Sequence, residues 1–109
     1  MPVKPARYHS AARDELRAAI RYGEADRSGR GALLEAAVNH VLRRLRRLPP
    51  SAPRWSDLRG PLEIRRARVK RHPYLVIYAI LPDQLVIIAI AHTSKQPGYW
   101  RDRVAALPR

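Results

Sequence analysis

The sequence predicts an α+β fold: a helical hairpin packed on one face of a twisted antiparallel sheet, in the order β-α-α-β-β-β. Two segments near the start repeat their apolar residues at helical spacing. Two later runs, YLVIYAIL and LVIIAIA, are β-branched, apolar on both faces and separated by Pro82-Asp83. All the helical signal precedes that hairpin, so helices and strands fall in separate blocks.

Residues 5–9, PARYH, predict a short first strand. Ser10 is placed as the N-cap of a helix over 11–25. Ala12, Leu16, Ala19 and Ile20 form its apolar stripe. Asp14 and Glu15 are placed in its first turn, where the helix dipole favours acids. Gly29 and Gly31 mark a short link to a second helix over 31–48. That helix carries Leu34, Val38, Val41, Leu45 and Leu48 on one side and ends in Arg43, Arg44, Arg46 and Arg47. Pro49 and Pro50 stop it.

Residues 49–61, PPSAPRWSDLRGP, are rich in turn formers and form the least regular part of the chain. Three strands follow, at about 62–71, 74–81 and 84–92, the last two joined as a hairpin. Strands apolar on both faces need cover on both. The helices supply one cover, and the tail after His92 is expected to supply part of the other, with Trp100 packed over the sheet.

A chain of 109 residues is expected to form one domain, spanning 1–109. Its net charge is +13, and residues 36–109 carry +11 of it. Only three of the 22 basic residues are Lys. Arginine suits bidentate contacts to phosphate or carboxylate, so a polyanionic partner is expected: nucleic acid or an acidic protein segment. A solvated arginine-rich surface is the plainer reading. The absence of Cys excludes disulfides and thiolate metal sites. The apolar runs are too short to span a bilayer and no apolar leader opens the chain, so a cytoplasmic protein with no membrane partner is expected.

Two stretches carry the candidate chemistry. In the basic strand, alternation puts Arg66, Arg68 and Lys70 on the face of Ile64, and Arg65 and Arg71 on the face of Ala67 and Val69. A row of cations about 7 Å apart suits a phosphate backbone, and it equally suits an edge strand guarded against aggregation. In His92–Arg103, HTSKQPGYWRDR, a His or Tyr could move a proton and Lys or Arg could stabilise charge on a phosphoryl oxygen. A ring there could stack on a base. The alternative is that Tyr99 and Trp100 only pack over the sheet. No His, Asp or Glu cluster has metal-ligand spacing, and no glycine-rich phosphate loop is present, so neither metal nor cofactor is expected.

Taken together, SAARDELRAAIRYGEAD, VLRRLRRLPP, LEIRRARVKRHPYLVIYAILPDQLVIIAIAH and HTSKQPGYWRDR resemble the RelE/ParE toxins of type II toxin–antitoxin systems. The ending is similar to the His-x-x-basic-x-Pro-x-Tyr-Trp pattern of the ParE-like branch. His72 stands where Phe is common and Lys95 where Arg is common, which keeps ring and charge. The resemblance implies a growth inhibitor neutralised by a separate acidic antitoxin in a hetero-oligomer. In a ParE-like toxin the target would be DNA gyrase, with no enzymatic activity. In a RelE-like one it would be mRNA in the ribosome, cut without metal by a set matching Arg66, Arg68, Lys95, Tyr99 and Arg101. Target contacts would fall on Arg65, Arg66, Arg68, Lys70, Arg71, His92 and Trp100. A third reading is an inactive, basic nucleic-acid-binding protein with the toxin fold.

Overall fold

The computed structural model describes residues 3–55, 60 and 62–107. Its elements are β1 (Ala6–Tyr8), α1 (Ser10–Asp26), α2 (Arg30–Arg47), a single 3-10 turn (Pro49–Ser51), β2 (Glu63–Arg68), β3 (Tyr74–Ile80), β4 (Leu85–His92) and a short α3 (Arg101–Ala105). The expected β-α-α-β-β-β order holds, with α3 added. Much of the turn-rich segment, residues 56–59 and 61, lies outside the described residues.

The sheet runs β1-β4-β3-β2. It is mixed, not wholly antiparallel: β1 pairs with β4 in parallel, Ala6 opposite Leu85 and Tyr8 opposite Ile87. The helical hairpin between β1 and the later strands returns the chain for a parallel pairing, which a tight turn cannot do.

Helix α1 starts one residue earlier than expected. His9, not Ser10, is the cap, and its Nδ1 accepts from the Ala11 N–H at 3.1 Å. Asp14 and Glu15 therefore sit beyond the first turn. The two helices close tightly at Gly23 and Gly31, where a Cβ on Gly31 would collide with the Ile20 carbonyl oxygen. The Glu24 carboxylate accepts from the N–H groups of Gly29, Gly31 and Ala32, which lie at the start of α2. Along α2, Leu34, Val38, Val41 and Leu45 are buried as the spacing predicts. Leu48 is not. It is the C-cap, its backbone turns out of the helix, and it is 58 % exposed.

The sheet is covered on both faces. Val76, Tyr78, Leu85, Ile87 and Ile90 pack with the helices. Ile77, Ala79, Val86, Ile88 and Ala91 pack under Trp55, Trp100 and Leu107. Alternation breaks once. Ile77 pairs with Ala89 but Tyr78 pairs with Ile87, so Ile88 is an extra residue in β4, a β-bulge. Before the bulge the Leu85 N–H and Ile87 C=O turn outward, to Pro5 and His9. After it the Ile88 C=O and Ile90 N–H turn outward instead. By then β1 has ended.

Candidate functional site: the outer edge of β2

Strand β2 forms an edge of the sheet, and the chain after α2 covers half of it. Trp55 N–H donates to the Ile64 carbonyl at 2.8 Å, and Arg66 N–H donates to the Pro53 carbonyl at 3.0 Å. These bonds fix the orientation of the strand: Ile64 and Arg66 turn their backbone groups away from β3, and Arg68 shares that parity. Among the described residues nothing pairs with the Arg68 N–H and C=O. The edge is open there.

A groove of about 810 Å³ runs along this edge, lined by Arg44, Pro53, Trp55, Arg66, Arg68, Leu75 and Pro97 among others. Arg66 and Arg68 project on the face of Ile64, away from the helices. The Arg66 guanidinium lies 5.4 Å from the Trp55 ring centroid. Arg44 reaches the groove from α2. Among the described residues these three arginines have no acidic partner. The groove thus joins fixed positive charge, an apolar floor and unpaired backbone.

The other expected site residues do not gather here. Arg65 faces the helical layer and is held by the Glu63 carboxylate at 2.5 Å and the Ala52 carbonyl at 2.6 Å. It braces the α2–β2 connection. Lys70 and Arg71 lie in the β2–β3 turn, outside the strand, so the row of cations ends at Arg68. They line a separate cavity at the tip of the helical hairpin. His92 accepts at Nδ1 from Ser94 N–H and packs edge-on against Tyr74, with ring centroids 5.1 Å apart. Lys95 is exposed with its Nζ 5.8 Å from the Tyr99 ring, and Arg101 is exposed at the start of α3.

Trp100 is 1 % exposed and meets Trp55 edge-on at 5.0 Å. It covers the sheet, as expected, and has no surface left for a target. Tyr99 donates its hydroxyl to Glu15 at 2.6 Å, on the outer edge of β4. Burial, with that bond and the adjacent carboxylate, holds the phenol protonated far above its ordinary range. Strands β3 and β4 stand between it and the arginines of β2. Within the nuclease-like set, the Tyr99 hydroxyl therefore stands apart from Arg66 and Arg68.

Sequence reasoning missed Trp55 and Arg103, left Arg44 within a helical run of arginines and read Glu15 only as a first-turn acid. Trp55 carries no local signal, because the groove arises only when the segment after α2 folds against β2, and the Glu15–Arg103 pair joins residues far apart in sequence. Among the described residues, no group of three His, Asp or Glu side chains could hold a metal ion. No described helix is long and apolar enough to cross a membrane.

Two helices thus pack on a four-stranded sheet with a basic groove along one edge. Residues 6–97 match the family described as ParE toxin of type II toxin-antitoxin system, parDE, and the chain belongs to that family. It is the toxin component of a type II module, partnered with an antitoxin. A solved structure, the chromosomal ParDE TA system from P. aeruginosa, is similar in fold: TM-score 0.68, 16 % identity, covering 83 % of this chain and 96 % of that one. No match to a curated protein was found.

Proposed function

We propose that this toxin acts by binding, as a poison of DNA gyrase, and that an acidic antitoxin segment silences it from the groove along β2. The observation that carries the first part is the bond from Tyr99 to Glu15. A tyrosine that must give or take a proton needs an accessible hydroxyl and a matched pKa. Here the hydroxyl is engaged and the phenol is held protonated. Arg66 and Arg68 lie across the sheet from it. This arrangement supports recognition over RNA cleavage.

The second part rests on charge and on the open edge. An extended acidic segment can add a strand at Arg68, giving its backbone hydrogen bonds there. Its carboxylates would meet Arg44, Arg66 and Arg68, and an apolar side chain would settle on Trp55 and Leu75. The surplus of +13 over the whole chain would speed the encounter. The product is a toxin–antitoxin hetero-oligomer. Gyrase as target places the action in the cytoplasm.

The test is a supercoiling assay with purified gyrase. Full-length toxin is expected to block supercoiling, and an equimolar acidic antitoxin to restore it. Unchanged supercoiling together with cleavage of ribosome-bound mRNA would replace this reading with the nuclease one.

A further inference from the structure

Just beyond the end of β2, on the helical side of the sheet, two neighbouring cavities lie at the tip of the helical hairpin. The inner one, about 210 Å³, is bordered by Tyr22, His72, Tyr74 and His92. The outer one, about 500 Å³, is bordered by Arg27, Lys70 and Arg71. Arg30 and His72 border both, so the two are adjacent. We infer that this double cavity is a binding site for single-stranded nucleic acid, with one base in the inner cavity and the adjoining phosphates on the outer rim.

The inner walls suit a flat heteroaromatic ring. Tyr74 and His92 are fixed edge-on to each other. Tyr22 is 75 % exposed and borders the same cavity, so its ring is open to a ligand. The Tyr22 and Tyr74 hydroxyls and the His72 ring make no hydrogen bond with the described residues, which leaves donors and acceptors free for a base edge. Stacking on such rings is tolerant of sequence, because every base has a π-face.

The rim suits phosphate. Arg27, Lys70 and Arg71 have no acidic partner among the described residues, while Arg30 pairs with Asp26. Glu24, the other acid nearby, is occupied by backbone N–H groups. Arg71 adds a sign of its own. Its φ of 71° is the one positive value at a non-glycine residue among those described. A side chain in that region costs stability that glycine would not. Folding alone favours glycine at this turn, and the chain holds a guanidinium there. An acidic peptide would also answer the rim, but the ring-walled inner cavity beside it fits a nucleotide better.

The site shares no residue with the β2 groove and does not depend on gyrase as target. The experiment is fluorescence anisotropy of the full-length toxin with a labelled oligothymidylate of about 12 nucleotides. The same strand as a duplex and a polyglutamate peptide serve as competitors. Tyr22→Ala and Arg71→Gly are each expected to weaken binding about tenfold. Arg71→Gly should also make the protein at least as stable, which separates lost contact from lost fold. Its salt dependence, as log K against log salt, should flatten by about 0.7. Arg68→Ala, on the other face, should change affinity by less than about twofold. The inference is overturned if both tip variants bind like the parent, if Arg68→Ala loses as much as they do, or if duplex or polyglutamate competes as well as the single strand.

Discussion

Glu15 and Arg103, 88 positions apart in sequence, meet in a two-pronged ion pair on the outer edge of β4, with N–O distances of 2.8 and 3.0 Å. The pair does the work of a missing strand. Where β1 ends, Glu15 accepts from the Ile90 N–H at 3.1 Å and Arg103 donates to the Ile88 carbonyl at 3.0 Å. The β-bulge at Ile88 is what points those two groups outward. Glu15 also holds Tyr99, so one carboxylate ties α1, β4 and the C-terminal segment together.

Removing that carboxylate should be costly. Glu15→Ala leaves Arg103 without its acidic partner and the Ile90 N–H without an acceptor in a half-buried place, an expected loss of about 2–4 kcal/mol. Urea denaturation measures it. A double-mutant cycle of Glu15→Gln and Arg103→Gln should show coupling above about 1 kcal/mol. Additive effects would mean the pair is only a surface contact.

Tyr99→Phe should act on stability and not on toxicity. It deletes a hydrogen bond to a charged group, worth about 1.5–3 kcal/mol. Growth arrest on induction should persist provided the variant stays folded by circular dichroism. Loss of arrest in a folded variant would return Tyr99 to the functional set.

Tyr78 predicts weakness in alkali. It is buried in the helical-side core and its hydroxyl donates to the Pro49 carbonyl at 2.5 Å. Burial pushes its pKa from 10.0 up to about 12, partly offset by Arg65. The unfolded chain gives up this proton near pH 10 and the folded chain near 12, so the contribution is whole below pH 10 and lost as pH rises to about 12. Denaturation midpoints across that window should fall for the parent, and Tyr78→Phe should flatten part of the fall.

Gly31→Ala should separate the helices. Its new Cβ would meet the Ile20 carbonyl, which is backbone and cannot swing aside. A loss of about 1–3 kcal/mol is expected, as for other overpacked contacts, measurable as a lowered Tm. An unchanged Tm would show that the hairpin tip adjusts freely.

Much of the fold was legible because periodicity is a local property. The stripe of Leu34, Val38, Val41 and Leu45 and the two-faced hairpin strands told their layers at once. The tail's role as cover followed from the need to bury both faces, and Trp100 fills it. Three features were hidden for stated reasons. The parallel pairing of β1 depends on where a long connection returns. The bulge at Ile88 is silent because every residue around it is apolar. Glu15 reads as a first-turn acid until His9 is seen to start the helix earlier, and its partners lie far down the chain. The site was less legible than the fold. Alternation placed Arg66 and Arg68 correctly, but it could not show that the strand ends before Lys70 or that Arg65 is tied down inside.

The central claim, a toxin that binds and does not cut, is tested most directly by pulse labelling of DNA and protein synthesis just after inducing the parent chain and Tyr99→Phe. DNA synthesis should fall first for both. If protein synthesis falls first, and a folded Tyr99→Phe spares it, the chain is a nuclease and the binding account is wrong.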